Sequence, residues 1–358
     1  MNLNIYKNKK IFVTGHTGFK GAWLSIWLKK MGAIVRGYAL KPNTDKDLYN
    51  YIPHTYFEKS VISTILDKEK LALEIQSFEP DFIFHLAAQP LVRESFIYPM
   101  ETFEVNIIGT GNILNSVRKL PKKCVVICIT TDKVYENKEW EYPYRENDRL
   151  GGFDPYSASK AGAEIIIHSF RNAYFNVHNF LEHKKSIASV RAGNVIGGGD
   201  FSKDRLIPDI IQSIENNKNI IVRNPTAIRP WQHVLDPLSG YLKLGLMLAE
   251  NNNLSGAYNF GPPPNAFLSV KELAEIAVKI YGKGNVEYPT LLNQPHEAHN
   301  LQLDISKAQH SLNWQPTFSN KEAIENTIDW YKKTESEKLS FTEMQIEQFQ
   351  KKGSIKIE

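Results

Sequence analysis

A tyrosine and a lysine lie four residues apart, Tyr156 and Lys160, in the segment YSASK. In a helix this spacing is one turn, so the phenol and the ammonium share a face. A nearby cation favours phenolate, which predicts a lowered pKa for Tyr156. Such a tyrosine can take a proton from a hydroxyl while hydride leaves the same carbon, and the lysine can hydrogen-bond a nicotinamide ribose. The bare pattern is also common on solvated helices, so its meaning depends on its place in the fold.

A second polar group, Thr131-Asp132-Lys133, directly follows the apolar run 124–130. In open α/β sheets the carboxyl ends of the strands are where ligands bind. Thr131 could bond a substrate oxygen and Asp132 could protonate a leaving hydroxyl. Lys133 could act as a base or as an electrostatic partner if desolvation lowers its pKa. The alternative for a short run of this kind is a helix cap or a turn.

Glycines at positions 15, 18 and 21 form a G-x-x-G-x-x-G turn between a predicted strand and a predicted helix. Such a turn lets backbone N–H groups approach a pyrophosphate at the helix N-terminus. The commoner dinucleotide fingerprint is G-x-G-x-x-G. The second predicted strand ends without the carboxylate that would hold ribose hydroxyls and without an arginine directly after it, although Lys41 is close. The strand therefore leaves NAD and NADP both open.

The elements that must position these residues alternate along the first half of the chain. Short apolar runs predict strands at 11–13, 33–40, 82–88, 124–130 and 186–195. Segments of helical periodicity predict helices at 22–31, 68–78, 101–119 and 155–175. Trp23 and Trp27 fall on the apolar face of the first helix and are expected in the core. Strands alternating with helices predict a parallel sheet covered on both faces.

The pattern changes after residue 196, where Gly197-Gly198-Gly199 opens a loop-rich region. Helices are predicted at 236–250 and 269–281, and Ser269 with Glu272 forms a capping-box pattern. We therefore expect a dinucleotide-binding domain at 1–196, a smaller domain at 197–335 with strands that can cross between the two, and a charged tail at 336–358. The tail is expected to be a solvated helix or a frayed end.

Composition narrows the class of protein. The chain has 358 residues, 42% hydrophobic, with a formal net charge of +4 and two cysteines. This balance excludes a disordered chain and is too weakly charged to indicate a nucleic acid or membrane partner. Cys124 and Cys128 lie in an apolar run and are expected to be buried; two cysteines cannot form a disulfide scaffold, and no metal site is expected. No signal peptide or membrane span is visible, which predicts a cytoplasmic protein.

Together these segments resemble the extended short-chain dehydrogenase/reductases and, within them, the nucleotide-sugar 4,6-dehydratases. The resemblance covers roughly residues 8–330. It is carried by the following segments: VTGHTGFKG at 13–21, HLAAQPLV at 85–92, DK at 132–133, YEN at 135–137, DPYSASK at 154–160, RAGNVIGGGD at 191–200, DRLIPD at 204–209 and RPWQHV at 229–234. It implies a lyase built as a modified Rossmann fold, a doubly wound parallel sheet with a smaller C-terminal substrate domain.

The resemblance also implies a cofactor, a substrate and a set of site residues. NAD would be held tightly by Gly15, Thr17, Gly18, Phe19, Lys20, Gly21, Ala87 and Ala88, together with Tyr156 and Lys160. The substrate, CDP-glucose or a similar nucleotide sugar, would contact Gln89, Asn194, Arg205, Leu206 and Arg229. The two arginines suit a diphosphate, although a surface ion pair is the alternative for each. A homodimer is expected on the same ground.

The catalytic roles implied by the family fall on Thr131, Asp132, Lys133, Tyr156 and Lys160. Tyr156 would remove the proton of the sugar 4-hydroxyl, and Asp132 would protonate the leaving 6-hydroxyl. Thr131 and Lys160 would support the oxyanion and the ribose. Lys133 stands where the dTDP- and GDP-sugar enzymes carry a glutamate that serves as the C5 base, and it matches the subgroup acting on CDP sugars. The identity of the C5 base is therefore left open.

Another departure from the family and two competing functions remain. Thr64 stands where an acidic residue usually contacts the adenine side of the cofactor. An epimerase or reductase acting on another nucleotide sugar would need Tyr156 and Lys160 but neither Asp132 nor Lys133. A non-catalytic NAD-binding protein would not need the pair of Tyr156 and Lys160. His85 and His233 are expected to be packed structural residues.

Overall fold

A central sheet of seven parallel strands organises the chain in the computed structural model, which describes residues 3–262, 268–289 and 301–355. The strands are β1 Lys10–Thr14, β2 Ile34–Ala39, β3 Lys59–Ile62, β4 Phe82–His85, β5 Cys124–Ile129, β6 Lys185–Ala192, β7 Val195–Ile196, β8 Ile220–Ile221, β9 Ile228–Arg229, β10 Gln232–His233, β11 Ala257–Phe260, β12 Leu268–Ser269 and β13 Val286–Glu287. The central sheet has the order β3-β2-β1-β4-β5-β6-β11. The order reverses between β1 and β4, the doubly wound arrangement in which ligands bind at the carboxyl ends of the strands.

Helices cover both faces of this sheet. They are α1 Phe19–Lys30, α2 Lys68–Phe78, α3 Val92–Ile97, α4 Pro99–Phe103, α5 Gly109–Arg118, α6 Pro155–Ala173, α7 Phe180–His183, α8 Leu206–Glu215, α9 Leu235–Glu250, α10 Val270–Tyr281, α11 Ser306–Leu312, α12 Asn320–Tyr331 and α13 Lys338–Lys352. A π-helical turn, Glu104–Ile108, separates α4 from α5, and 3₁₀ turns lie at Asn4–Tyr6, Leu48–Tyr51, His54–Tyr56, Asp132–Val134, Val177–Asn179, Asn252–Leu254 and Glu335–Glu337.

The alternation of side chains along each strand explains the two cores. In β5, Val125 and Ile127 belong to one buried cluster, whereas Val126 and Cys128 belong to the other. The first cluster also contains residues of α1 and α9, and the second contains residues of α2, α5 and α6. Because successive strand residues point to opposite faces, a strand covered on both sides must be apolar throughout.

Most of the predicted elements are confirmed, with shifts of a few residues at their ends. Two strands of the central sheet were missed, β3 and β11. Each has four residues; three of the four in β3 are exposed or half-buried, and both strands contain polar residues, so neither has a long apolar run. The helix predicted at 101–119 is interrupted by the π-helical turn. Trp23, Trp27, Cys124 and Cys128 are buried as expected.

The expectation of a solvated or frayed tail is wrong. Residues 338–352 form α13, whose Ile346 and Phe349 are fully buried in the first core cluster. Trp27 of α1 packs edge-on against Phe349, with ring centroids 5.7 Å apart. Leu339, Ile346 and Phe349 fall on one helical face, which is enough to dock the helix, whereas Met344 lies away from that face and is exposed. The predicted domain boundaries stay predictions, and residues 356–358 of the tail lie outside the described residues.

Within the described ranges, no helix combines the length and apolar character needed to cross a membrane. The expected cytoplasmic location stays a prediction.

Candidate active site

A cleft of about 800 Å³ opens at the carboxyl edge of the central sheet. Its lining brings together nine of the predicted site residues: Lys20, Thr131, Asp132, Lys133, Tyr156, Asn194, Arg205, Leu206 and Arg229. We call one group of residues around the cleft, 129–135 and α6, the catalytic wall. We call a second group, the loop 197–205, α8 and Arg229, the substrate wall. The remaining predicted residues, among them the glycine turn, Gln89 and Lys160, are not part of this lining.

The glycine turn joins β1 to α1 with backbone packed directly on backbone. Gly15 has φ +74°, and a Cβ added there would lie 2.7 Å from the amide nitrogen of Ala87. A Cβ on Gly21 would lie 2.0 Å from the carbonyl oxygen of Gly15. Gly18 is the N-cap of α1, and no side chain caps this helix. The free N–H groups of the first turn can therefore receive an anion such as a pyrophosphate.

The neighbours of this turn belong to the predicted cofactor residues. Thr17 donates a hydrogen bond of 2.9 Å to the carbonyl of Leu40 at the end of β2. The amide of Ala87 donates to the Thr14 hydroxyl at 3.2 Å, and Ala88 is half-buried beside it. Thr64, at the place of the family's acidic residue, accepts a hydrogen bond of 3.2 Å from the amide of Leu66.

The start of α6 holds Tyr156 in place. Asp154 is the N-cap and forms a reciprocal capping box with Ser157, and Pro155 occupies the first turn. The amide of Tyr156 donates to the Ser95 hydroxyl at 3.1 Å, so α3 fixes this turn as well. Each early N–H group of the helix thereby gains a local partner, which fixes the position from which the phenol projects into the cleft.

The ionisation of Tyr156 differs from the expectation. Burial raises the pKa of Tyr156 to about 12, while a hydrogen bond with Thr131 and the charge of Arg205 act to lower it. The predicted lowering by Lys160 is therefore wrong for this structure. The Lys160 ammonium instead donates to the carbonyl of Ile129 at 3.3 Å. Desolvation of the phenolate outweighs the nearby positive charges in a buried position.

Lys160 is supported by a buried ion pair one helical turn further on. Burial lowers the pKa of Lys160 to about 8, and the charge of Glu164 opposes this shift. Glu164 accepts hydrogen bonds from Thr130 at 2.6 Å, Ser189 at 2.8 Å and Arg191 at 2.8 Å. This network joins α6 to the ends of β5 and β6. It holds the helix that carries the tyrosine and the lysine against the sheet.

Asp132 is the strongest candidate for an acid in the cleft. Its side chain is buried, Oδ1 accepts from the Thr131 hydroxyl at 2.9 Å, and Oδ2 has no partner among the described residues. Burial raises the pKa of Asp132, against the lowering effect of the charges of Lys133 and Arg229. A carboxyl group with a raised pKa retains its proton more readily and can give it to a leaving oxygen. Lys133 is half-buried in the cleft lining.

The substrate wall presents two arginines to the cleft. Arg205 pairs with Asp200, with 2.8 Å between Nη1 and Oδ2, and the charge of Asp200 is the largest influence raising the Arg205 pKa. Arg229 is 9% exposed and donates to the carbonyl of Ile228 at 2.9 Å. Asn194 is half-buried, and Leu206 begins α8. A paired guanidinium still has donors left for a diphosphate.

Gln89 is not brought into the cleft lining among the described residues. Its amide group donates to the Thr102 hydroxyl at 2.9 Å and to the carbonyl of Leu91 at 3.1 Å. The segment after β4 thus uses this side chain to brace its own loop. His85 and His233 are buried with pKa values lowered by burial to about 3, which agrees with the expectation of packed structural residues.

Three contributors to the site escaped the sequence reasoning. Ser95 anchors Tyr156, Asp200 pairs with Arg205, and Arg93 of α3 lines the cleft and lies 3.5 Å from Asp204. Asp200 falls inside a quoted family segment, RAGNVIGGGD, but its charge had no assigned partner. For Ser95 and Arg93 no sequence pattern points to the cleft.

Comparisons with known proteins agree with this geometry. Residues 12–327 match the protein family described as GDP-mannose 4,6 dehydratase. A curated relative, CDP-glucose 4,6-dehydratase of Salmonella typhimurium, is 47% identical over 92% of this chain and 92% of its own length. The dTDP-D-glucose 4,6-dehydratase of Mus musculus is 24% identical over 91% of this chain and 89% of its own length.

Solved structures show the same fold. A dTDP-glucose 4,6-dehydratase of Streptomyces venezuelae, the DesIV double mutant with NAD and DAU bound, superposes with a TM-score of 0.78. It is 21% identical and the match covers 90% of this chain and 97% of the other. The epimerase Mth375 of Methanothermobacter thermautotrophicus also gives a TM-score of 0.78, at 22% identity over 96% of each chain. At these identities the likeness establishes the fold.

Proposed function

Because the chain belongs to the family described as GDP-mannose 4,6 dehydratase, we propose that it is a nucleotide-sugar 4,6-dehydratase. Its reaction is the dehydration of CDP-glucose to CDP-4-dehydro-6-deoxy-glucose, with NAD as cofactor. The observation that carries this assignment is the meeting of Tyr156, Thr131 and a buried Asp132 in one cleft. The relative at 47% identity supports the choice of the CDP sugar.

The residues present fit NAD. Gly15 and Gly21 leave no room for a Cβ, and the uncapped start of α1 offers backbone N–H groups to the pyrophosphate. Thr17, Phe19, Lys20, Ala87 and Ala88 would surround the dinucleotide, and Lys160 would bond the nicotinamide ribose. When bound, NAD supplies a hydride acceptor at C4 and a hydride donor at C6 of the sugar. Mass analysis of the nucleotide released on denaturing the purified protein distinguishes NAD from NADP.

The side chains of the catalytic wall account for the proton movements. Tyr156 takes the proton of the 4-hydroxyl as C4 is oxidised, and the Arg205 charge stabilises the phenolate against burial. The 4-keto group acidifies the C5 proton. Asp132 gives a proton to the 6-hydroxyl, which leaves as water, and C6 is then reduced. Lys133 lies in the same lining, and the C5 base is not assigned.

The substrate wall accounts for binding. Arg205 and Arg229 present guanidinium groups of the geometry that pairs with phosphate oxygens. Asn194 can donate to a phosphate or sugar oxygen. Proton donors and acceptors and the two arginines line the same cleft, which suits a sugar joined to a diphosphate.

A panel of CDP-, dTDP-, GDP- and UDP-hexoses tests the assignment. We expect turnover of CDP-glucose to a product lighter by one water that shows the alkaline absorbance of a 4-keto-6-deoxy sugar. A product of unchanged mass with inverted C4 would identify an epimerase. No product from any of the sugars would overturn the dehydratase assignment.

The proposed homodimer is supported by an exposed apolar surface on neighbouring elements. Phe96 and Ile97 of α3, Met100 of α4, Ile108 of the π-helical turn and Ile165 of α6 are 46–68% exposed. α3, α4 and the π-helical turn all pack against α6, so these exposed residues lie on neighbouring elements. Contiguous exposed apolar residues mark interaction surfaces. Sedimentation should give a dimer for the unaltered chain and a monomer for the double variant Ile108→Glu, Ile165→Glu.

A further inference from the structure

We propose that the two C-terminal helices position Arg205 in the cleft, with Tyr331 of α12 and Lys338 of α13 as positioning residues. The inference rests on the proposed function, since it assigns Arg205 to the diphosphate of the substrate. It starts from the loop 197–205, which carries Arg205 and its partner Asp200 and which has almost no regular structure. A loop that must hold a charged group in place needs support from outside itself.

The first support is a set of hydrogen bonds to the backbone of the loop. The Tyr331 hydroxyl donates to the carbonyl of Asp200 at 2.5 Å. The indole of Trp23 donates to the carbonyl of Gly198 at 2.8 Å. Tyr331 is 6% exposed, so both its hydrogen bond and the loop carbonyl are shielded from water. Removing the hydroxyl would leave a buried carbonyl without this partner, which costs more than the net value of the bond.

The second support is a group of aromatic rings that pack against the loop. A Cβ on Gly198 would lie 2.0 Å from the ring of Trp330, so the indole touches the backbone of the loop directly. The indole nitrogen of Trp330 donates to Thr342 of α13 at 2.8 Å. The Lys338 ammonium lies 4.7 Å from the ring centre of Trp330 and 5.4 Å from those of Tyr51 and Phe201.

Lys338 therefore holds three rings together that belong to three distant parts of the chain. Tyr51 follows β2, Phe201 is in the loop itself and Trp330 is in α12. Lys338 is 7% exposed, and a cation over ring faces is worth more when it is withdrawn from water. The segment that the sequence pattern assigned to a solvated tail thus contacts the loop through Lys338 and Phe201.

The Asp200 carboxylate connects the supported loop to Arg205 in the cleft. Asp200 is buried; its Oδ1 accepts from the amide of Ser202 at 3.1 Å, and its Oδ2 pairs with Arg205 at 2.8 Å. The Arg205 charge in turn acts on Tyr156 of the catalytic wall. A displaced Asp200 would let Arg205 move, and a guanidinium that is not fixed loses the geometric match to a diphosphate.

Tyr331→Phe is the first test. We expect the KM for CDP-glucose to rise about threefold to tenfold with kcat changed less than twofold, which corresponds to the loss of about one hydrogen bond. The matched control is Tyr241→Phe. Tyr241 is fully buried, but its hydroxyl has no hydrogen-bond partner among the described residues, so its KM should not change.

Lys338→Met and Lys338→Arg form the second test. Methionine keeps the apolar stem and removes the charge, so KM should rise about threefold to tenfold; arginine keeps a cation over the rings and should restore KM to within about twofold. Lys333→Met is the control, because Lys333, between α12 and α13, lies 4.6 Å from the ring centre of Phe341 of α13 and not over the rings that support the loop. If Lys338 had a purely structural role, Lys338→Met would lower the melting temperature, and KM and kcat would change together instead of KM alone.

Crystal structures of Tyr331→Phe and Lys338→Met separate this inference from the proposed function. We expect the Asp200–Arg205 pair to be displaced or broken in each, whatever substrate the protein accepts. An unmoved Arg205 overturns the inference, and so does an unchanged KM in an enzyme that does turn over CDP-glucose. If the unaltered protein turned over no nucleotide sugar, the proposed function would fail, and the crystal structures alone would decide whether the helices position Arg205.

Discussion

The two walls of the cleft are built in different ways. The catalytic wall lies within one stretch of chain, from the end of β5 to α6, and its support is a buried ion pair between Glu164 and Arg191, which are 3% and 4% exposed. The substrate wall contains the loop 197–205, whose supports come from α12 and α13, more than a hundred residues later, and from Trp23 of α1, more than a hundred residues earlier. Proton transfer requires fixed distances between neighbouring groups, so a compact, locally encoded wall suits it. Binding of a long substrate requires a surface that closes the other side of the cleft.

This difference predicts that variants of the two walls separate kcat from KM. A change in the catalytic wall should act on the rate with binding retained, because its groups act on protons that move in the reaction. A change in the substrate wall should act on binding, because its charges contact the substrate throughout.

Tyr156→Phe should have the largest effect. We expect kcat to fall about 10²- to 10⁴-fold, the usual contribution of a general acid–base group, while the affinity for CDP measured by calorimetry stays within about twofold. Tyr258→Phe is the control, since Tyr258 is buried and its hydroxyl bonds Leu254. Full activity in the Tyr156 variant would remove this residue from the mechanism. It would also contradict the expectation that variants of the catalytic wall lower kcat.

Glu164→Gln should produce the next largest effect, on stability. Removing one member of a buried ion pair leaves Arg191 uncompensated, and we expect the free energy of unfolding to fall by about 3–5 kcal/mol. Denaturant titration measures it. Glu58→Gln breaks a pair with Arg36 in which the glutamate side chain is 40% exposed, so the loss there should be at most about 1 kcal/mol. Equal losses in the free energy of unfolding would show that the buried pair of the catalytic wall stabilises the fold no more than a surface pair.

Arg205→Lys should raise the KM for CDP-glucose about tenfold with a small change in kcat, because an ammonium cannot pair in the same way with both Asp200 and a diphosphate. Steady-state kinetics with Arg145→Lys as the reference gives the comparison, since the Arg145 side chain is 64% exposed in a surface pair. A fall in kcat equal to that of Tyr156→Phe would place Arg205 with the catalytic groups instead.

The pH dependence should show the smallest effect. Burial lowers the pKa of Lys160 to about 8 and that of Lys20 to about 8. If the cationic form of Lys160 is required, kcat/KM falls as pH rises through about 8, about tenfold per pH unit well above it. The profile of Lys20→Met decides which lysine is responsible: its alkaline limb should remain. Loss of that limb would assign it to Lys20.

The lowered pKa of Lys160 also determines how the free energy of unfolding changes with pH. The unfolded chain keeps the Lys160 proton up to about pH 10.5, whereas the folded chain loses it from about pH 8. Between these values the unfolded state binds more protons, so the contribution of Lys160 to the free energy of unfolding increases with pH. Below about pH 8 its burial as a cation destabilises the fold.

Much of the site was predictable because its motifs are contiguous. The glycine turn, the Thr131-Asp132-Lys133 run and the Tyr156/Lys160 pair each follow a strand or begin a helix, and parallel strands bring their carboxyl ends to one edge. Their placement around one cleft is what the sequence pattern predicts. Their individual roles stay predictions until the variants are measured.

The outcomes that differ from the expectations share a cause. The short strands β3 and β11 contain polar residues that break any apolar run, and they are strands because a neighbour in the sheet pairs with them. The Tyr156 pKa follows from burial, which outweighs a lysine one turn away. None of these outcomes can be read from residues near each other in the chain.

The order of residues by itself determined the α/β alternation, the phosphate-binding turn, the helix that carries Tyr156 and Lys160, and the type of chemistry these groups can perform. Local propensity, hydrophobic period and capping act over a few residues, so they are legible in the sequence. The tertiary structure alone decided which groups are desolvated, that α13 packs into the core, and that Tyr331 and Lys338 lie under the loop of Arg205. Burial and long-range contacts depend on what the rest of the chain places nearby, and that is set only when the whole chain has folded.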